Sequence, residues 1–295
     1  MNHEEVFVEY RPLLFTIAYE ILGSAADAED VLQDSYLRWR DVDHAEVANP
    51  RGYLVRTVTR QALNQLRTAR RRREDYVGAW LPEPIRTQGD ASEDAVLAES
   101  VSIAMLLVLE TLSPHERAVF VLHEVFGYPY RDIADMVGKT DTTVRQIAHR
   151  AREHVQARRA RFHPNTPTAS DVVDRFLAAA QTGDVQGLMD MMAPDVVQIA
   201  DGGGKVTAAR RPIHGPAQVA QFVAAIARRD VPDPRIEIAT YNALPALLFY
   251  AADDLDYVVI FEIADNLVRG LYAVRNPDKL RAATVVHRLT RGKDS

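Results

Sequence analysis

Within residues 142–150, Thr142, Thr143, Arg145, Gln146, His149 and Arg150 share the side of a helix left free when Val144, Ile147 and Ala148 turn inward. Arginine and glutamine carry the forked donors and acceptors that match base edges in a major groove, and threonine, histidine and arginine reach phosphates. Arg152, Arg158, Arg159 and Arg161 continue that basic side, opposed by Glu153. A second cluster is Arg51, Arg56, Arg60, Arg67, Arg70, Arg71, Arg72 and Arg73, with no acid between them. A solvated helix face usually alternates sign, so this run points to a polyanion; Asn64, Gln65 and Thr68 are interleaved and can bond bases. Tyr53 and Trp39 could stack on an unpaired base or simply pack between helices. Asp195, Asp201, His214 and Glu262 are the acid–base candidates, but catalysis needs a carboxylate paired with a histidine, and His214 before Gly215-Pro216 reads as structural.

These residues need elements to position them. Apolar spacing predicts helices over 5–22, 25–40 and from Asn49-Pro50 to about Arg73, with Gly23 ending the first and Ser24 capping the second. Early acids in the second helix suit the helix dipole or a partner surface. Trp80-Leu81-Pro82-Glu83-Pro84 cannot be helical throughout, and Gly89, Asp90 and Ser92 prolong a linker. Helix resumes over 101–162, broken at Ser113-Pro114, Gly127-Tyr128-Pro129 and Gly138. Ile133, Ala134 and Val137, then Gly138, then a helix docked by Val144 and Ile147, spell a helix-turn-helix whose second helix Thr140 or Asp141 can cap. After a second linker, His163-Pro-Asn-Thr-Pro-Thr, helices are expected at 169–181, 185–192 and 216–228. Strands follow at 235–241, 246–251, 257–263 and 267–274, the last two joined by a hairpin at Ala264-Asp265-Asn266. Helices followed by an antiparallel meander make an α+β domain.

Composition narrows the classes. The chain has 295 residues, a net charge of −6 and no cysteine, which excludes disulfides, cysteine-ligated zinc and a thiol nucleophile. Residues 1–163 carry 21 Lys/Arg against 25 Asp/Glu, so any nucleic-acid footprint comes from local clustering. No apolar run spans a bilayer, and the start, MNHEEVFVEYRP, lacks a signal-peptide core, so a cytoplasmic protein without membrane association is expected. The nine histidines are scattered, and Gly202-Gly203-Gly204-Lys205 lacks the rest of a P-loop, so neither metal nor nucleotide cofactor is expected.

An acidic amphipathic helix, an arginine-rich helix, a linker and a helix-turn-helix, in that order, resemble the bacterial RNA polymerase sigma factors of the extracytoplasmic-function (ECF) type. The motifs are Asp27-Ala-Glu-Asp-Val-Leu-Gln-Asp, Tyr53-Leu-Val-Arg with its downstream arginines, and Leu112-Ser-Pro-His-Glu-Arg with the helix-turn-helix. The resemblance implies that Asp30, Gln33 and Asp34 meet the β′ clamp helices of core RNA polymerase. It places Arg56, Arg60, Asn64 and Arg67 at the −10 promoter element, and Thr143, Arg145, Gln146, His149 and Arg150 at the −35 element. It also implies contact with the β subunit. Many members have Asn and Asp where this chain has Arg60 and Asn64.

The remainder resembles a SnoaL-like domain of the cone-shaped, nuclear-transport-factor-2-like fold, which a subgroup of ECF sigma factors, the SigJ-like proteins, carries in cis. Three motifs of that subgroup are present: Trp80-Leu-Pro-Glu-Pro (Trp80, Pro82, Pro84), Asp201-Gly202-Gly203-Gly204-Lys205 and Asn276-Pro277-Asp278-Lys279-Leu280. The resemblance implies a multidomain chain: sigma region 2 (1–75), a linker (76–100), sigma region 4 (101–163), a short linker (164–168) and a regulatory SnoaL-like domain (169–295). Two all-α domains thus precede an α+β one. It implies regulation without a separate anti-sigma protein. The extended linker motif is expected to dock near the triple-glycine loop and near Asn276–Leu280. Two other functions stay open: a DNA-binding repressor with a ligand-sensing domain, and a fused isomerase or cyclase. A small apolar ligand in the C-terminal domain is a further possibility.

Overall fold

The computed structural model describes residues 3–87, 94–158, 169–230 and 232–292. Gly89, Asp90, Ser92, Arg159, Arg161 and the 164–168 linker lie outside them. The chain divides into a helical unit (1–74, 105–160 and 287–295) and a sheet unit (75–104 and 161–286).

The helical unit begins with α1 (His3–Leu22), whose residues 13–22 are all buried. Pro12 costs this helix a donor, and Thr16 Oγ1 donates to the Pro12 carbonyl at 2.7 Å. Gly23 turns the chain at φ 69°, and the Ser24 side chain caps α2 (Ala25–Arg40) by accepting from the Asp27 amide at 3.0 Å. Trp39 is fully buried and donates Nε1 to the His3 carbonyl, so it belongs to the core. Pro50 opens α3 (Pro50–Glu74). After α4 (Ala95–Ser100), which belongs to the sheet unit, and α5 (Ile103–Glu110), a capping box between Ser113 and Glu116 starts α6 (Pro114–Phe120), which runs into a π turn at Val121–Val125. The helix-turn-helix is α7 (Tyr130–Val137) and α8 (Asp141–Arg158).

The sheet unit carries α9 (Ala169–Thr182), α10 (Val185–Asp190) and α11 (Pro216–Ala227) on one face of a mixed sheet. Its strands are β1 (Arg86–Thr87), β2 (Met192–Asp201), β3 (Ile213–His214), β4 (Pro234–Tyr241), β5 (Leu244–Ala251), β6 (Asp254–Ala264), β7 (Leu267–Val274) and the short β8 (Val286–His287), in the order β3-β2-β7-β6-β5-β4-β1-β8. Val173, Phe176, Leu188, Val219 and Ala220 from the helices meet Val196, Leu247, Phe261, Ile263 and Leu271 from the sheet. The expected meander is β4–β7. Asp265 and Asn266 turn β6 into β7 with φ of 54° and 61°, the left-handed pair of a type I′ turn.

Two features differ from the sequence expectation. The helix drawn through 192 ends at Asp190, and β2 starts at Met192. Met191 and Met192 continue the apolar helical spacing, and Pro194 weakens the strand signal, while the register with β7 shifts between Met192 and Val197. β2 also runs parallel to β7, so the sheet is mixed. The second difference is β1: the linker itself adds a strand to β4, pairing Arg86 with Tyr241.

Candidate nucleic-acid interface and linker lock

The helix-turn-helix is built as its residue types require. Gly138 takes φ 66°, and the amides of Gly138 and Lys139 both close on the Ala134 carbonyl, which ends α7. Thr140 Oγ1 accepts from the Thr143 amide at 3.3 Å and so caps α8. Val144, Ile147 and Ala148 are buried; Thr142, Arg145, Gln146, His149 and Arg150 are exposed and Thr143 half-buried. Arg145 bonds Asp141 at 2.9 Å and lies 4.9 Å over the Tyr130 ring, and His149 sits 3.3 Å from Glu153. These exposed ion pairs are worth little in water and yield readily to phosphate.

On α2, Asp30, Gln33 and Asp34 form an exposed stripe. On α3, Arg60, Asn64 and Arg67 are exposed and Arg56 is half-buried, 5.8 Å from the Tyr53 ring. Asp34, Arg38, Gln61, Asn64, Gln65 and Thr68 line an open groove of about 590 Å³ between these helices. The arginine run proves to be only partly free for a polyanion. Arg60 donates to the carbonyls of Asp135 (2.7 Å) and Met136 (3.2 Å) at the end of α7, and Arg51 donates to Gly292. Arg67 is 3.4 Å from His115. Arg70 donates to the Glu110 and Leu112 carbonyls, and Arg73 to the Leu22 carbonyl and the Glu110 carboxylate. Arg117, fully buried, joins Glu110 from the other side and donates Nε to the Glu20 carbonyl at 2.8 Å. Burial pushes the Glu110 carboxyl up, but Arg117 and Arg73 more than offset it and hold it below its usual value. Guanidiniums facing the carbonyls of helix ends and the Glu110 carboxylate, all in distant segments, explain why the run needs no acids in its own sequence.

In the sheet unit the three short motifs meet at one carboxylate. β2 and β7 are parallel with Asp201 opposite Val274, so the segments that follow them, 202–205 and 275–280, emerge side by side. Asp201 is fully buried. Its Oδ1 accepts from the Tyr76 hydroxyl (2.5 Å) and the Gly203 amide (3.0 Å), and its Oδ2 from the Leu81 amide (2.9 Å) and Lys279 Nζ (2.7 Å). Lys279 Nζ also donates to the Leu81 carbonyl and lies 4.4 Å from the centre of the Trp80 ring. The linker backbone at Leu81 is therefore gripped at both its N–H and its C=O. Burial and the Asp201 bond push the Tyr76 phenol well up. Asn276 caps α12 (Pro277–Leu280) through the Asp278 amide and donates to Tyr76 at 2.7 Å. The exposed pair Lys205–Asp278 (2.5 Å) ties the glycine loop to α12 and holds the Asp278 carboxyl low.

The glycines are dictated by approach. Gly203 has φ 63° and a Cβ there would overlap the Asn276 side chain; at Gly204, φ 70°, a Cβ would stand 2.9 Å from Val77 Cβ. Leu81, Pro82 and Pro84 are buried, whereas Trp80 is only half-buried. A second grip lies at the β4–β5 turn. Asn242, fully buried at φ 52°, accepts from the Ile85 amide (3.1 Å) and donates to the Val101 carbonyl (2.9 Å), while the Ala243 amide donates to Thr87 (3.2 Å). Arg86 pairs with Glu237 at 2.7 Å. Tyr76, Asn242, Arg86 and Thr87 were not singled out from the sequence. An Asn in a two-residue turn was the available signal for Asn242; nothing in the sequence marked Tyr76.

Of the acid–base candidates, Asp195 and Glu262 come near enough for their charges to interact, with Arg269 acting on both. Asp201 is consumed by the linker; His214 is exposed; Asp195 is exposed, 3.7 Å from Arg269; and Glu262 pairs with the Tyr272 hydroxyl at 2.6 Å. Burial raises the Glu262 carboxyl, with the Tyr272 bond opposing.

Residues 6–72 match the Sigma-70 region 2 family, residues 102–155 Sigma-70 region 4, and residues 173–271 the SnoaL-like domain. Over 96% of its length the chain is 34% identical to the ECF RNA polymerase sigma factor SigJ of Mycobacterium tuberculosis, covering 94% of that protein. This chain belongs to the ECF sigma factors. The crystal structure of M. tuberculosis SigJ superposes with a TM-score of 0.74 at 31% identity, covering 94% of this chain and 98% of SigJ. The M. tuberculosis sigma factor SigG is 29% identical over 64% of this chain and 58% of its own. As an ECF sigma factor, the chain binds core RNA polymerase and promoter DNA. Its helical unit holds the region 2 and region 4 matches, and its sheet unit the SnoaL-like domain, a family related to enzymes. Among the described residues no helix is long and apolar enough to cross a membrane.

Proposed function

We propose that this sigma factor is regulated in cis through the grip of its SnoaL-like domain on the 76–100 linker. The observation that carries the reading is Asp201: a buried carboxylate with four donors, two of them a linker amide and a lysine that also holds the linker carbonyl. The chain is read as region 2 within 1–75, region 4 within 101–163 and the regulatory domain within 169–295. The linker joins the two promoter-reading parts, so its path limits how they separate. Asp30, Gln33 and Asp34 face the β′ clamp helices; Arg56, Arg60, Asn64 and Arg67 face the −10 element; Thr143, Arg145, Gln146, His149 and Arg150 face the −35 element. The exposure of the α2 stripe, of Asn64 and Arg67 on α3 and of most of the α8 face supports this assignment.

A domain in cis has a high effective concentration, so a few hydrogen bonds suffice where a separate anti-sigma protein would need a full interface. The SnoaL-like domain acts here as a binding module. Supporting this, the buried Asp201 carboxylate is committed to the linker amide and to Lys279. Transcription reconstituted from core polymerase tests the reading, with the full chain, the Asp201→Asn chain and a chain ending at residue 163. Altered promoter output from Asp201→Asn, with its polymerase binding intact, is expected. Equal output from all three chains refutes regulation through the linker.

A further inference from the structure

Residues 287–292 follow the SnoaL-like domain in sequence, yet they belong to the helical unit. They are held along their length. His287 is buried and stacks on Phe15 of α1, with ring centres 4.3 Å apart and planes 9° from parallel. Its Nδ1 stands 3.9 Å from Glu29 of α2. Leu289 is buried. The Thr290 amide donates to Thr16 Oγ1 at 3.1 Å, and the Gly292 amide donates back to Thr290 Oγ1 at 3.0 Å. Arg51 of α3 donates to the Gly292 carbonyl at 2.8 Å. Arg291 reaches the other way, donating to the Val125 carbonyl in the π turn after α6 at 3.2 Å. The segment therefore touches three helices of region 2 and the backbone of region 4. Gly292 has φ 60°, and a Cβ there would stand 3.0 Å from both Arg51 Nη2 and a Leu13 methyl, so the seat accepts little else.

The same two regions are in direct contact through Arg60 and the end of α7. The elements they read are centred about two and a half DNA turns apart, on the order of 85 Å. A region 2 and a region 4 in hydrogen-bond contact cannot occupy both at once. The helical unit described here is closed, and it must open on the promoter.

We propose that residues 287–292 are a strap that holds region 2 and region 4 closed and must leave its seat when core polymerase opens the sigma factor. The inference rests on the sigma-factor reading and adds a second latch to it, separate from Asp201. Since the strap is covalently continuous with the SnoaL-like domain, a change in that domain's order or ligand state can reach the helical unit through the chain itself. The strap's contacts are shared between the regions, so losing it removes one of the ties between them, beside Arg60 on α7 and the Glu110–Arg73–Arg117 group.

The chain contains no cysteine, so cysteines placed at the exposed positions Glu4 and Gln156 carry a donor–acceptor dye pair specifically. The distance between them is read in the full chain, in a chain ending at Val286 and in Leu289→Asp/Gly292→Val, with circular dichroism confirming fold. Both altered chains should populate a longer distance without polymerase, and adding the free peptide 285–295 should restore the short distance in the truncated one. If release raises the open fraction about tenfold, apparent affinity for core polymerase rises by the same factor. Should the truncated chain lose its helicity, the double substitution decides alone. An unchanged distance in a folded variant overturns the strap. Failure of the full chain and of both released chains alike to direct transcription with core polymerase would instead strike the sigma-factor reading, leaving the distance result to stand by itself.

Discussion

Asp201 shows how much one carboxylate can organise when the donors around it come from three separate segments. Tyr76 and Leu81 come from the linker, Gly203 from the glycine loop and Lys279 from α12. Its partner Lys279 is itself buried. Removing one member of a buried, hydrogen-bonded ion pair typically costs about 3–5 kcal/mol, because the remaining charge is stranded. Asp201→Ala should therefore destabilise the sheet unit by roughly that amount in denaturant titration, whereas Asp201→Ala combined with Lys279→Met should recover much of it. Additive losses in the double variant would mean that the two residues act independently. His287 gives a second prediction at this scale. Burial holds its imidazole below the usual value, Glu29 pulls it up and Arg11 pushes it down. The undocked segment binds a proton more readily, so docking is fully stabilised above the free-histidine pKa of about 6.5 and weakens as pH falls below it. The melting temperature of the full chain should fall between pH 7.5 and 5.5, with a smaller fall in His287→Phe.

At the scale of elements, α8 is where sequence and structure agree most closely. Its inward and outward residues, its glycine turn and its threonine cap follow from a strong helical period with a breaker at a fixed place. Gln146→Ala and Arg145→Ala should each cost about 1–3 kcal/mol of discrimination at the base they face. Binding to a set of −35 duplexes substituted one base at a time measures this; loss that is uniform across the set would instead make the residue a phosphate contact. The sheet was less legible. β2 hides behind Met191 and Met192, which continue a helical spacing, and its parallel pairing with β7 depends on residues some 70 positions away. That pairing brings the Asp201 and Asn276 motifs together, and the local sequence does not mark the strand that does so. The arginine run carries a second role that its sequence does not show. Its composition signals a polyanion, but Arg60, Arg70 and Arg73 satisfy carbonyls and a buried acid contributed by residues 22 and 110–136. Hydrogen-bond debts at helix ends in distant segments leave no mark in the local sequence.

At the scale of the molecule, the state of the arginines separates two modes of DNA binding. In the helical unit the α8 face is exposed, while Arg60, one of the residues proposed for the −10 element, is engaged with α7. The free chain should therefore read the −35 element and be nearly blind to the −10 element. Engaging a −10 site means giving up two hydrogen bonds from a charged donor, each worth about 1.5–3 kcal/mol, before any base is contacted. Once polymerase has opened the unit, that cost has already been met and the −10 contacts count in full. Fluorescence anisotropy with three duplexes tests this: both elements intact, the −10 element scrambled, and the −35 element scrambled. For the free chain, scrambling −35 should weaken binding and scrambling −10 should change it little. For the polymerase-bound chain, scrambling either should weaken binding strongly. Arg60→Ala should leave the free chain's DNA preference unchanged, since its side chain is already occupied, yet impair −10 reading in the complex. If the free chain discriminates both elements equally, the contact between α3 and α7 does not persist in solution, and closure is not what governs its access to the promoter.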